Sequence, residues 1–395
     1  MLKKISITVL ASIVILPTLS QASSALDSLS TAFGTGEVFG QIGVNFRVND
    51  ANDNSNDGNL GYGYLELGYL TNEFNGAKLG ASFIGVGEMW ARKSYENSFS
   101  DSGEFRDKAM LRDFYLDYTI PGTKSLVLIG RKQFAGTPVT DGDVHQGIQL
   151  TVGDIENVTL YASVMNRWAD NASTAYDLDG IDATWLDGDD IVSGASDTVI
   201  SFMAEIEIVP EKFEVSPFLV HQSDVVTTYG GSADLDMPIQ GGLVAGLEGV
   251  FAVYAEDTAA SGDEDAYSYN LHGSLSYESW SFGVGYYVMS DDARVGLTAV
   301  GNDTFDPMEE GVYGGAQDDN TLYIDAEYVW GPVTVAAVYG DTDVDRSSEG
   351  AKEVDLYMVY AISETISTEL MFVDVNDDDS SLDYQVYAGT INLSF

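Results

Sequence analysis

Residues 321–330 read TLYIDAEYVW, and their order of side chains decides the fold. Apolar side chains such as Ile324 and Trp330 occupy every second position. The positions between them include Asp325 and Glu327. Successive side chains of a strand point to opposite faces, so a period of two over this length indicates a β-strand. The stretch therefore predicts a strand with one apolar face and one largely polar face.

The same alternation recurs along most of the chain. Residues 37–48 read EVFGQIGVNFRV and residues 352–363 read KEVDLYMVYAIS. About 18 such segments can be counted, and no comparable 3.6-residue pattern marks a helix after the first 22 residues. Residues 238–256 fit either one long strand or a hairpin around 247–249. The predicted segments leave 223–237 as a connection.

The connections between these segments alternate in length. Every second one is short, such as NEFNGA at 72–77, and those between are mostly long and acidic, such as NDANDNSNDGN at 49–59. Outer-membrane barrels have tight periplasmic turns and long outer loops, whereas a solenoid would show a fixed repeat length. We therefore predict an all-β fold, a transmembrane antiparallel β-barrel of about 18 strands, within a range of 16–18.

The two faces of the strands then have different surroundings. Eighteen strands cannot fill their own interior with side chains, so the lumen should be wide and wet and the apolar faces should meet lipid. Carboxylates lining a lumen concentrate cations and repel anions, which predicts a cation-selective pore. For any single acidic residue, general solvation of the lumen is the alternative. The acidic residues expected in the lumen are Glu66, Asp113, Asp117, Glu205, Glu207, Asp325, Glu327, Asp355 and Glu369.

Composition narrows the possible classes of protein. The chain carries 63 acidic residues and a formal net charge of −46, which excludes nucleic acid as a partner because two polyanions repel. It has no cysteine, so no disulfide framework stabilises it. Residues 1–22 begin with a basic segment, continue with an apolar run and end in Ser20, Gln21 and Ala22, which predicts a secretory signal peptide. Residues 23–395 are then expected to form a single barrel domain.

The last nine residues, 387–395, read YAGTINLSF and alternate like the other strands. Tyr387, Ile391, Leu393 and Phe395 share one face. This ending resembles the signal that the barrel-assembly machinery reads in the periplasm. The same strand is expected to pair with the first strand and close the barrel, in contact with outer-membrane lipid and lipopolysaccharide.

Residues 130–147 read GRKQFAGTPVTDGDVHQG, a strand end followed by an acidic loop and a second strand. This stretch, together with AFGTGEVFGQI at 32–42, resembles the OprD-like and Opr-type porins of Gram-negative bacteria. The resemblance implies a homotrimer and a third loop, about 131–147, that folds inward and narrows the pore. An ordinary exposed loop is the alternative. The constriction residues that it implies are Asp141, Asp143 and His145, opposed by Arg131, Arg47 and Arg167.

One basic residue departs from that pattern. Arg112 shares a strand face with Phe114, Leu116 and Tyr118, so period-two alternation places it at the rim rather than in the pore.

Two loops imitate the start of a calcium-binding EF-hand loop. Asp53 and Asp57 lie in one, and Asp177, Asp179 and Asp182 lie in the other. Neither loop has the glutamate at position twelve or flanking helices, so solvated acidic loops are the alternative to weak Ca²⁺ binding. No other cofactor is expected.

These features favour a passive diffusion porin for small hydrophilic solutes and ions. An outer-membrane barrel that serves as an adhesin or surface layer is the alternative, and an acidic secreted β-protein is a third. An enzyme is not expected: His272 and Ser274 resemble the pair of an outer-membrane phospholipase, but this pair should point into the lumen rather than to lipid.

Overall fold

The computed structural model describes most of the strands and part of the connections. The signal peptide predicted at 1–22 lies outside the described residues, except for Ala22. The described residues are 22–51, 58–91, 108–140, 144–169, 198–223, 226–256, 265–290, 305, 307–311, 318–344, 349–380 and 382–395.

One helix precedes eighteen strands in this part of the chain. The elements are α1 (Ala22–Gly34), β1 (Glu37–Ala51), β2 (Gly58–Leu70), β3 (Ala77–Ala91), β4 (Lys108–Thr119), β5 (Leu126–Gln133), β6 (Val144–Ile155), β7 (Val158–Ala169), β8 (Val199–Val209), β9 (Phe213–Gln222), β10 (Val226–Pro238), β11 (Leu243–Glu256), β12 (Ala266–Tyr277), β13 (Trp280–Met289), β14 (Asp319–Trp330), β15 (Val333–Val344), β16 (Glu349–Ala361), β17 (Ile366–Asp377) and β18 (Tyr384–Ser394).

The strands form one closed antiparallel barrel. Each strand pairs with its neighbour in sequence, and β18 pairs with β1, with Ser394 opposite Gln41 and Tyr384 opposite Ala51. The 18-stranded barrel confirms the predicted fold class. Closure pairs both edges of every strand, which is how a sheet satisfies its backbone hydrogen bonds inside a membrane.

Alternation along each strand separates an apolar outer face from a largely polar inner face. In β1, Val44, Phe46 and Val48 are exposed on the outer face, whereas Asn45 and Arg47 between them are buried on the inner face. Isolated apolar side chains this exposed would be costly in water, but a band of them around the barrel suits lipid.

Tight turns join the strands at the rim nearest the N-terminus. The turn between β10 and β11 contains Gly241 and Gly242, with φ of 87° and 86°, a backbone conformation that favours glycine. Residues in the same left-handed region mark most of the other turns at this rim: Asn75, Gly76, Gly122, Asn157, Glu211, Glu278 and Gly331.

The strand count of 18 is correct, but the prediction is wrong about where two strands lie. The structure has a full strand at Val226–Pro238, where the sequence analysis leaves a connection. It also has one continuous strand at Leu243–Glu256 instead of a hairpin around 247–249. In β10 the alternation passes through Gly230, Gly231 and two aspartates, so the segment has few of the β-branched and aromatic residues that mark a strand.

The sequence analysis also predicts no helix after the first 22 residues, and this is wrong because the structure contains α1. α1 is tied to the turn after β2, because the backbone amide of Asn72 donates to Ala32 O over 3.1 Å. The side-chain amide of Asn72 donates to Thr35 O at 2.7 Å. No helix among the described residues is long and apolar enough to cross a membrane.

Candidate functional site

The lumen is the candidate functional site, and acidic side chains line much of its wall. The nine acidic residues predicted for the lumen lie on inner strand faces: Glu66, Asp113, Asp117, Glu205, Glu207, Asp325, Glu327, Asp355 and Glu369. Hydrogen bonds orient several of them. Glu66 accepts from Gln41 Nε2 at 3.0 Å, and Glu205 accepts from the Tyr161 hydroxyl at 2.9 Å.

Basic side chains reach the lumen from β1, β4 and β5, and each meets a carboxylate. Arg47 Nη2 lies 2.5 Å from Glu310 Oε1. Arg112 Nη1 lies 3.0 Å from Glu66 Oε1. Lys132 Nζ, which also lies over the Tyr115 ring, is 3.5 Å from Asp117 Oδ2. These three cations are therefore compensated locally and do not give the wall a positive charge.

The prediction that Arg112 lies at the rim is wrong. Asp113 pairs with Ser82 and Leu111 with Phe83, so Arg112 is an extra residue in a β-bulge. A bulge breaks the period of two and re-aims a side chain. Arg112 therefore turns inward together with Asp113, and the guanidinium reaches Glu66 on β2.

The other basic residues expected at the constriction have different positions. Arg131 pairs with the exposed Phe114 and so shares the outer face with it, where its guanidinium donates to Leu111 O at 2.8 Å and to Gln146 Oε1 at 3.1 Å. Arg131 therefore does not point into the pore as expected. Lys132 is the basic residue of β5 that points inward. Arg167 lies in β7 opposite Gln146.

The described part of the third loop lies inside the barrel. Ala135 exchanges two hydrogen bonds with the inward Gln149 side chain, at 3.0 and 2.9 Å. Phe134 is buried, and its ring centroid lies 5.5 Å from that of the buried His145. Asp141 and Asp143 lie outside the described residues, so their role at a constriction stays a prediction.

Apolar side chains from the third loop pack against a group of inner-wall residues, so the interior also contains a buried hydrophobic cluster. The cluster lies on the wall from β4 to β13. Its buried members are Tyr115, Leu128, Phe134, Val139, Met165, Val199, Phe218, Val220, Val226, Ala252, Tyr254, Ala266, Tyr287 and Met289.

A second inward segment comes from the connection between β13 and β14. We call residues 307–311 the strap. Met308 is buried against the inner wall at Gly340. The backbone amide of Glu309 donates to Asp355 Oδ2 at 3.1 Å. The strap thus crosses the lumen side of β15 and β16 and lies far in sequence from the predicted constriction loop.

A cavity of about 580 Å³ opens in the lumen beside the strap. Its carboxylates come from β9, β10, β11 and β14: Glu214, Asp234, Glu248, Asp325 and Glu327. His272 Nε2 lies 2.7 Å from Asp325 Oδ2, and the His272 ring stacks on Tyr323. Among the described residues, no lysine or arginine forms a salt bridge with Glu214, Asp234, Glu248 or Glu327.

The residues expected to bind calcium cannot be placed. Asp53, Asp57, Asp177, Asp179 and Asp182 lie outside the described residues, and calcium binding by their loops stays a prediction. Within the described ranges, no group of three or more metal-binding side chains is placed to hold an ion.

Sequence reasoning missed several residues that now define the lumen. Glu309 and Glu310 sit in a long acidic connection whose sequence gives no sign that it folds inward. Glu248 falls in a segment read as a possible turn, and its alternation with Leu247 and Gly249 is the signal that could have placed it on an inner face.

Comparisons with known proteins agree with this architecture. A model of the Campylobacter major outer membrane protein family matches residues 2–381. No curated protein matches the sequence.

Solved structures of Pseudomonas aeruginosa channels share the fold. OccK9 (OpdG) has a TM-score of 0.74 at 15% identity, over 92% of this chain and 100% of that chain. OpdK, solved with vanillate, has a TM-score of 0.70 at 13% identity, over 92% and 99%. OccD1 (OprD), in a doubly substituted variant, has a TM-score of 0.68 at 11% identity, over 91% and 95%.

Proposed function

The chain belongs to the Campylobacter major outer membrane protein family, which makes it a porin of the bacterial outer membrane rather than an enzyme, and from this premise we propose how it selects solutes. It is a passive, water-filled channel for small hydrophilic solutes and ions that prefers cations. Solutes pass down their gradient, and the size and charge of the lumen decide which of them enter.

One observation carries the cation preference: the inner wall has carboxylates without a basic partner among the described residues. Glu214, Glu248 and Glu327 border the cavity beside the strap, whereas Arg47 and Arg112 are each held by a carboxylate. Uncompensated carboxylates in a narrow lumen raise the local concentration of cations and lower that of anions. The wall from β9 to β14 is therefore the selective part of the pore.

Reversal potentials in planar bilayers under a KCl gradient test this proposal. The wild-type channel should give a reversal potential with the sign expected of a cation-selective pore. Removing three wall charges together in Glu214→Gln, Glu248→Gln and Glu327→Gln should move the reversal potential toward zero, because fewer fixed charges attract K⁺.

A matched control removes three exposed charges at the turns, in Glu73→Gln, Glu156→Gln and Glu364→Gln. This variant loses the same net charge and should shift the reversal potential much less. An anion-selective wild type, or equal shifts in both triple variants, would rule out the acidic wall as the source of selectivity.

Liposome swelling separates the channel from the adhesin alternative. Vesicles that contain the protein should swell in isosmotic solutions of small sugars, because the sugars and water enter through the lumen. A barrel that serves only as a surface layer would leave the vesicles unchanged.

The homotrimer is part of the same proposal and rests on the resemblance to the OprD-like porins. Chemical cross-linking of the protein in outer membranes should give a band at three times the mass of one chain. Cross-linking that stops at single chains would remove this part of the proposal.

A further inference from the structure

Glu310 contacts three strands of the barrel wall, two through its carboxylate and one through its backbone amide. It accepts from Arg47 Nη2 of β1 at 2.5 Å and from the Tyr384 hydroxyl of β18 at 3.0 Å. Its own backbone amide donates to Glu353 Oε1 of β16 at 2.8 Å. The side chains of Arg47 and Glu310 are only 8% and 14% exposed, so water screens their attraction less than on an open surface.

Other acidic side chains lie near Glu310 and disfavour the charge on its carboxylate, and Arg47 offsets this effect. Glu309, Glu353 and Asp355 add three further carboxylates within the same contact network, and Tyr357 donates to Glu309 Oε2 at 2.7 Å. Carboxyl groups this close together disfavour one another's charge, whereas the guanidinium of Arg47 stabilises the charge of Glu310. Among the described residues, Arg47 forms an ion pair with this cluster through Glu310.

We propose that Glu310 is a positioning residue of the channel, whose ion pair with Arg47 holds the strap against the wall formed by β15, β16, β18 and β1. This inference rests on the proposed channel function. The strap lies at the edge of the open cavity, so strap residues that leave this wall move next to it. Pro307 already lines that cavity. Release of the strap therefore closes the pore transiently, and the Arg47–Glu310 pair keeps it open.

Single-channel recordings test the proposal through Glu310→Gln, which keeps the size of the side chain but removes its charge. We expect the fraction of time spent in closures to rise about tenfold, equivalent to about 1.4 kcal/mol in the docking equilibrium. The exchanged pair Arg47→Glu with Glu310→Arg should restore part of the wild-type behaviour. Glu364→Gln, at an exposed turn, is the control and should record like the wild type.

A disulfide can hold the strap in place independently of the ion pair, since the chain has no cysteine of its own. Met308 Cγ lies 3.1 Å from the position that a Cβ on residue 340 would occupy. A sulfur bonded across an S–S bond of about 2.05 Å lies at about that distance from the opposite Cβ. Met308→Cys with Gly340→Cys should therefore cross-link readily when the strap is docked.

Chemical accessibility of residue 308 reports release of the strap even if no current is recorded. The double-cysteine protein should form its disulfide with and without Glu310→Gln, because the docked strap stays the major state in both. In a separate Met308→Cys variant, whose position is buried while the strap is docked, Glu310→Gln should raise the rate of alkylation by a water-soluble thiol reagent about tenfold, in proportion to the time that the strap spends released. In bilayers, the oxidised triple variant should lose the extra closures, and a reducing agent should bring them back.

Equal alkylation rates of Met308→Cys with and without Glu310→Gln, or closures that persist in the oxidised channel, would overturn the proposal. A double-cysteine protein that cross-links normally but conducts no ions, in its reduced form as well, would instead count against the channel function.

Discussion

Arg112 shows how one inserted residue moves a charge from one side of the barrel wall to the other. Its neighbours Phe114 and Leu116 obey the alternation, and the bulge lies just before them. A local pattern cannot reveal a bulge, because the extra residue is defined only by the register of the partner strand. The pair Arg112–Glu66 is thus a product of pairing rather than of the sequence of β4 alone.

Replacing Arg112 by Gln should both destabilise the barrel and strengthen its preference for cations. The variant leaves Glu66 without its arginine at a site where the two side chains are 8% and 13% exposed, and the loss should be about 1–3 kcal/mol. Urea unfolding in lipid vesicles measures the free energy of unfolding, and reversal potentials measure the preference.

Arg131→Gln is the comparison, because its guanidinium lies on the outer face beside Leu111 and Gln146. Its reversal potential should stay close to that of the wild type. A shift as large as that of the Arg112 variant would contradict the assignment of the two arginines to opposite faces.

At the scale of the element, glycine and aromatic residues occur as opposed pairs on neighbouring strands. On the inner face, the ring of Tyr64 covers Gly43 and that of Tyr323 covers Gly285. On the outer face, Phe46 covers Gly389 where β18 meets β1. A Cβ at any of these glycines would meet the ring opposite. At these positions the glycine and the aromatic residue together serve strand pairing.

The terminal strand ends on such a contact, and we expect its aromatic residue to matter for assembly. Phe395 exchanges two backbone hydrogen bonds of 3.0 Å with Gly40, and its ring lies over that glycine. Phe395→Ala removes the ring at the closing seam and the aromatic group that resembles an assembly signal. The variant should reach the outer membrane at a lower level and leave degradation products in the periplasm.

The level of folded barrel can be measured as the fast-migrating form on gels of unheated membranes. Phe395→Tyr keeps an aromatic ring and should assemble like the wild type. Normal levels of the alanine variant would show that the terminal ring is dispensable.

At the scale of the whole molecule, the net charge of −46 acts through its distribution. Among the described residues of the inner wall, the arginine and lysine side chains in ion pairs lie on β1, β4 and β5, whereas β9 to β14 carry carboxylates around the cavity. Distance from the wall and screening by salt then decide how strongly a passing ion feels this charge.

The cation preference should therefore weaken as salt concentration rises. The Debye length falls from about 10 Å at 0.1 M to about 3 Å at 1 M, so fixed carboxylates influence less of the lumen at high salt. Reversal potentials measured at low and at high KCl, with the same concentration ratio, report the change. A preference that does not depend on salt would point to selection by size instead.

The sequence by itself determined the barrel, because alternation is a local property and each strand shows both of its faces. Residues 321–330 contain an apolar and an acidic face, and the structure places Ile324 outward and Asp325 inward. The strand that the sequence analysis does not predict is β10, because glycine and aspartate weaken its alternation. The predicted count is nevertheless 18, because the region of β11 is counted as two segments.

Only the tertiary structure decided what narrows the lumen. Arg47 and Glu310 are 263 positions apart, and no local pattern links them. Whether a long acidic connection stays outside or folds inward depends on partners that distant strands supply, such as Asp355 for Glu309 and Gly340 for Met308. Each strand is specified by its own alternation of side chains and by pairing with adjacent strands. The strap, by contrast, is positioned by contacts that exist only once the barrel has closed.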